Sequence, residues 1–297
     1  MRLAYLIIAH QQPEQLAQML YCIQHPDNVY LIIPDSKGLT GSEPALQAVV
    51  RRHPNVFIAP ARDMRWASWS LMQARLDGMR ELLARPEPWE VLINLSGQDF
   101  PLKSQEEIRA FFAANEGRNF LDIVEPEKVW NDPYARIQRI RLEPPFMKSG
   151  WNVPKLRIDR WSRHLGQARY VGGRPYMALT RSFCQHLIES THLPRWVKTL
   201  RHGYRPVEVL PHSFIMNSPH ADTVENHLLH EEDWSAGGSH PKVFTAHLRI
   251  AQSSEAELDN RLEHSMTHPD LALSLLRGMV PEYAPRSGVV SPHGSSS

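Results

Sequence analysis

The chain has 297 residues, 42% hydrophobic and 22% charged, with a formal net charge of +1. That balance excludes a strongly basic nucleic-acid binder or a highly charged disordered chain and fits a globular protein with ample core. Two distant cysteines, Cys22 and Cys184, make neither a disulfide framework nor a Cys-x-x-Cys site, so a reducing compartment and two core-type thiols are expected.

Leu3–Ile8 is a continuous apolar run at the start of the chain. It is too short for a signal h-region or a membrane span and reads as a buried strand. Pro13 opens a helix, with Leu16, Met19, Leu20 and Ile23 at helical spacing. Asn28–Ile33 and Val56–Ile58 read as the second and third strands. Ser68–Leu83 reads as a helix with Leu71, Ala74, Gly78 and Leu82 on one face, where Gly78 lets a neighbour pack closely. Val91–Leu95 is a fourth buried strand. Apolar strands alternating with helices predict an α/β fold, a mostly parallel sheet covered on both faces. Ligands of such sheets bind at the carboxyl ends of the strands. That rule points at His10, Asp35, the loop before Trp66, and Ser96-Gly97-Gln98-Asp99.

Further along, Arg136 to Arg174 is rich in Arg and Lys with Trp151 and Trp161 interleaved. A solvated loop or an anionic-glycan surface explains it better than nucleic acid, because the rest of the chain balances the charge. Tyr176–Leu179 reads as a strand entering a helix capped by Thr180. Pro206–Met216 reads as a helix that Pro211 breaks unless it lies in a first turn. His227–His230 reads as a short strand, on which the two histidines face opposite sides and form no metal pair. The domain is expected to span residues 1–283, followed by a disordered Pro/Gly/Ser tail at 284–297. No apolar stretch of about 18 residues occurs, so a cytoplasmic location is expected.

Three constellations can carry chemistry. Asp99 follows a strand and a sharp turn; Ser104 is better placed to cap the next helix, which leaves Asp99 for a ligand. Glu208 sits in an apolar stretch at a helix start. It is either a first-turn glutamate or a general base, ionised at neutral pH with an ordinary pKa of roughly 4.3. Lys242, after a Gly-rich loop with Trp234, and Arg261 on a helix are either surface cations or a pair that neutralises a departing diphosphate. At about 4 Å each such charge pair is worth on the order of 4 kcal/mol before desolvation. Asp-x-Asp, phosphate-loop and Gly-x-Gly-x-x-Gly motifs are missing.

In this order, Ala4-Tyr5 to Ala9-His10, Asp35-Ser36-Lys37, Arg65-Trp66-Ala67, Leu95-Ser96-Gly97-Gln98-Asp99-Phe100-Pro101-Leu102, Gly173 to Arg181, Pro206-Val207-Glu208 and Asp233-Trp234 to Lys242 resemble the core-2/I-branching β-1,6-N-acetylglucosaminyltransferase family, which includes peptide O-xylosyltransferases. The resemblance covers about Leu3 to Glu263 and suggests a bacterial-type member. It implies a GT-A fold and an inverting, metal-independent transfer of GlcNAc or xylose from a UDP-sugar to a glycan or other hydroxyl. No cofactor is implied. In it Glu208 matches the base, Asp35 beside His10 the uracil reader, and Trp66 and Asp99 the donor pocket. Lys242 and Arg261 match the diphosphate cations, and Trp234 and Arg136 the acceptor contacts. The sequence departs from the family at Val207, where Asp is usual, and at Ala67-Ser68, where Gly-Gly follows the Trp. It exchanges the two cations, and neither the disulfides nor the membrane anchor of the animal enzymes is expected. The resemblance implies a UDP-sugar and a glycan acceptor as partners; the charge of the Arg-rich region adds a lipid-linked acceptor as an expectation, with peripheral contact at the inner membrane, and no nucleic acid is expected. The reading from another class is a non-catalytic sugar-nucleotide or glycan-binding protein.

Overall fold

Alternate residues of strand β1 (Leu3–Ala9) fall into two different cores in the computed structural model, which describes residues 1–124, 140–142, 151–153 and 164–230. Ala4 and Leu6 pack with Val29, Leu31 and Ile33; Leu3, Tyr5 and Ile7 pack with Tyr30 and Ile32 on the opposite face. A strand buried on both sides needs apolar residues at every position, which is why β1 and β2 (Val29–Pro34) read as unbroken apolar runs. Both are parallel, in register from Ala4 opposite Val29 to Ala9 opposite Pro34. Strands β3 (Val56–Ile58) and β4 (Val91–Ser96) extend the parallel set on either side.

Among the described residues the sheet has seven strands in the order β3-β2-β1-β4-β8-β5-β9, where β5 is Asn119–Leu121, β8 is Met177–Thr180 and β9 is Val224–Asn226. Strand β8 runs antiparallel to both neighbours, and the other pairings are parallel. Strands β6 (Ile140–Leu142) and β7 (Trp151–Val153) form a separate antiparallel pair inside the Arg-rich segment. The expected mostly parallel α/β sheet with helices on both faces is what the structure shows. One face carries helix α1 (Pro13–Ile23), α2 (Pro44–Arg52) and α4 (Gln105–Ala114). The other carries α3 (Trp69–Ala84), α5 (Arg181–Glu189), α6 (Leu193–Leu200) and α7 (Leu210–Met216).

Local chemistry sets the boundaries. Ser68 caps α3 through Ser70 N, Thr180 caps α5 through Phe183 N, and Ser104 and Glu107 close a reciprocal capping box on α4. A Cβ on Gly78 would lie 2.5 Å from Leu6 Cδ1, so its absence lets α3 sit directly on β1. The Pro206–Met216 segment splits into a 3-10 turn, Pro206–Glu208, and then α7, whose first turn accommodates Pro211. The third short strand of this half is Val224–Asn226, not His227–His230: Asn226 pairs with Leu121 and the chain then leaves the sheet. Neither cysteine is in a disulfide, and Cys184 is fully buried. Among the described residues no helix is long and apolar enough to cross a membrane. The tail reading at 284–297 lies outside the described residues.

Candidate active site

The carboxyl ends of β1, β2 and β4 come together at one edge because the three strands are parallel and adjacent. His10 follows β1 and is exposed there. Two glycines press against this end. A Cβ on Gly38 would lie 2.0 Å from the His10 carbonyl oxygen, and one on Gly97 2.6 Å from Ala9 Cβ. Neither position tolerates a side chain without moving the strand end.

Asp35 follows β2 and is 8% exposed. Its backbone N–H donates to Ala9 O at 2.7 Å. Its Oδ1 accepts from Lys37 Nζ at 2.7 Å, Lys37 N at 3.2 Å and Met64 N at 3.4 Å. Lys37 Nζ also donates to Asp63 Oδ1 at 2.9 Å. Burial opposes the Lys37 charge, but the Asp35 and Asp63 carboxylates outweigh it and hold the ammonium above its ordinary range. The side chain of Asp35 is therefore oriented before any ligand arrives.

Asp99 is 5% exposed and closes the turn after β4. Its Oδ2 accepts from Ser96 N and its Oδ1 from Ser96 Oγ, both at 2.7 Å. Ser104 does cap the next helix, as its spacing suggests, but Asp99 is not thereby left without partners: it caps its own turn. His230 Nε2 stands 3.6 Å from Asp99 Oδ2, and its ring stacks on Tyr176 at 4.1 Å between centroids.

Glu208 is 7% exposed. Its Oε1 pairs with Arg205 Nη1 at 3.0 Å. The Arg205 guanidinium lies 4.7 Å over the Trp66 ring, and Trp66 meets Tyr204 edge-on at 6.0 Å. Trp66, 58% exposed, is the one large exposed hydrophobic side chain among the described residues. Ala67 (φ 59°) and Arg205 (φ 53°) both occupy the left-handed region, and Arg205 N donates to Ala67 O at 2.9 Å. Arg205 also precedes Pro206, a position that disfavours helical geometry. Strain of this kind persists only where the surroundings enforce it, and it commonly marks functional loops.

One buried cation feels the charge of both groups. Arg75 of α3 is 8% exposed; its Nη1 donates to Pro175 O at 2.6 Å, a carbonyl that Asn94 Nδ2 also reaches at 3.1 Å. Burial brings Arg75 down to about 10, opposed by the charges of Tyr176, Glu208 and Asp99, so it remains cationic at neutral pH. Nearby His212 of α7 is fully buried and its Nε2 donates to Arg174 O at 3.0 Å. Burial, with a smaller push from the Arg75 charge, outweighs that hydrogen bond and lowers its pKa to about 3, so the imidazole is neutral. Arg75 Nε, His212 Nδ1 and His230 Nε2 are buried with no hydrogen-bond partner among the described residues.

Pattern alone does not single out Arg75, Tyr176, Arg205 or His212, and it offers His230 only as half of a histidine pair read as structural. A signal for Arg75 exists: Leu71, Arg75, Gly78 and Leu82 share a spacing of four, three and four, so a lone cation interrupts an apolar stripe. Of the residues named from sequence, His10, Asp35 and Asp99 lie at the strand ends, and Trp66 and Glu208 meet through Arg205. Arg136, Trp234, Lys242 and Arg261 lie outside the described residues. Among the described residues no group of three or more His, Cys, Asp or Glu side chains gathers as a metal site.

A sequence profile of the Core-2/I-branching enzymes matches residues 3–260. Mouse (Mus musculus) beta-1,3-galactosyl-O-glycosyl-glycoprotein beta-1,6-N-acetylglucosaminyltransferase 3 is 28% identical over 218 residues, covering 70% of this chain and 46% of that protein. Chimpanzee (Pan troglodytes) xylosyltransferase 1 is 29% identical over 245 residues, covering 79% of this chain and 24% of that protein. The chain thus matches less than half the length of these relatives.

Proposed function

This chain belongs to the Core-2/I-branching enzyme family, and we propose that it transfers GlcNAc or xylose from a UDP-sugar to a hydroxyl of a glycan acceptor, of the kind assembled into surface polysaccharide. The relatives named for N-acetylglucosaminyl and xylosyl transfer support the donor classes. The observation that carries the reading is Glu208: a carboxylate 7% exposed, oriented by Arg205 beside an exposed Trp66.

The proposed step is a direct displacement with inversion. The acceptor oxygen attacks the anomeric carbon, its proton passes to the Glu208 carboxylate, and the bond to the diphosphate oxygen breaks so that UDP leaves. One positioned base accounts for a typical 10²–10⁴-fold of rate, to order of magnitude. Asp35, with Oδ1 held by Lys37, accepts from the uracil N–H close to His10. Trp66 borders the donor and Trp234 and Arg136 the acceptor, while Lys242 and Arg261 take up the charge of departing UDP. Asp99 supports the donor loop through Ser96 and turns toward His230.

The reaction as proposed needs no metal. The sequence has no Asp-x-Asp pair, and both oxygens of Asp99 accept from Ser96.

The test is a screen of nucleotide sugars by thermal shift, followed by transfer assays in EDTA. UDP, UDP-GlcNAc or UDP-xylose should raise the melting temperature, as any ligand specific to the native state does, and transfer should survive EDTA. A strict requirement for manganese, or UDP binding without transfer to a broad acceptor panel, would overturn the reading.

A further inference from the structure

Between Ser190 and Val207 the chain carries Arg195, Lys198, Arg201 and Arg205 and no acidic residue, in a protein whose total charge is +1. Helix α6 folds this run into two faces. Leu193, Trp196 and Leu200 are buried against the core, while Arg195, Lys198 and Arg201 project to solvent. Arg80 of α3 joins them, and Arg80, Lys198 and Arg201 line an open groove of about 390 Å³ floored by Leu76, Leu193 and Val197. Asp77 pairs with Arg80 at 2.7 Å and with Arg62, so its charge is spoken for. Lys198 and Arg201 have no ion pair among the described residues.

We propose that this α3–α6 groove docks the protein on an anionic phospholipid bilayer. Charge complementarity selects the occupant: unpaired cations rim a shallow groove, and exposed Pro194 and half-buried Val197 on the same face offer limited apolar contact. Head-group phosphates sit between Lys198 and Arg201, and the long aliphatic stems of both residues lie along the interface. The attachment is peripheral and salt-sensitive, since the apolar face of α6 is already committed to the core. Four residues after Arg201 the chain reaches Arg205, the partner of Glu208, so docking brings the base-bearing loop toward the bilayer.

The test is co-sedimentation of the full chain with phosphatidylglycerol vesicles and with phosphatidylcholine vesicles at low salt. Binding should favour phosphatidylglycerol. Each cation near such a surface contributes about fivefold, so K198E/R201E should weaken binding by at least about 30-fold. The double variant R51E/R52E, on exposed positions of α2, changes the net charge equally and should bind nearly as wild type. Equal binding to both vesicle types, or an equal loss in R51E/R52E, would overturn the proposal. Transfer to a soluble acceptor should be unchanged in K198E/R201E, which separates failure of this surface from failure of the proposed reaction.

Discussion

At the ends of β1, β2 and β4 the sheet itself places the side chains. His10, Asp35 and Asp99 follow apolar parallel strands, and glycines 38 and 97 bring the backbones together. Around Glu208 no strand does this work. Glu208 sits on a single 3-10 turn held by two residues in left-handed geometry and an ion pair to Arg205, within the field of the buried Arg75 charge. The first region is positioned mainly by the sheet's hydrogen bonding, with a single left-handed residue, Gln12 (φ 57°), just past His10. The second depends on strain and on buried charge, both of which weaken stability unless every partner is present.

The sharpest way to break that contrast is to remove the cation between the regions. Arg75→Met should destabilise the fold by about 3 kcal/mol, since removing one member of a buried charge group leaves the others uncompensated. Urea denaturation measures it. A loss below about 1 kcal/mol would show that the two regions stand independently.

The contrast has a signature in pH. An unfolded imidazole binds its proton near pH 6.5, whereas His212 in the fold does so only near 3. The unfolded state therefore binds more protons at intermediate pH, and stability falls as pH drops through 6.5. The slope from this residue approaches about 1.4 kcal/mol per pH unit. His212→Gln should flatten that part of the denaturation profile; an unchanged slope would place the acid sensitivity elsewhere.

The smallest effect runs the other way. At position 67 this chain holds Ala at φ 59°. Ala67→Gly should relieve the left-handed strain and raise stability by about 1 kcal/mol, a shift of about 2–4 °C in melting temperature. A decrease would mean that the lost methyl, 97% shielded by its neighbours, matters more than the backbone.

The same contrast explains what could be read in advance. Buried parallel strands need unbroken apolar runs, so β1 to β4 and the strand-end positions are visible as text, as are the caps Ser68, Ser104 and Thr180. Asp99 was legible as a position but not in its partners. Its contact with His230 spans 131 residues, and its hydrogen bonds to Ser96 depend on the turn conformation. Arg205 and Tyr204 carry no periodic signal, because they act through left-handed backbone and ring contacts made with Trp66 from a distant loop. His230 follows β9 and is located by its packing on Tyr176 and its approach to Asp99.

The central claim is that the carboxylate at 208 takes the acceptor's proton. Glu208→Gln keeps the shape of the side chain and removes its basicity, so transfer and UDP binding should be measured together on this variant. The account predicts transfer lowered by at least about 10²-fold with UDP affinity within about threefold of wild type. Transfer near the wild-type rate would contradict it.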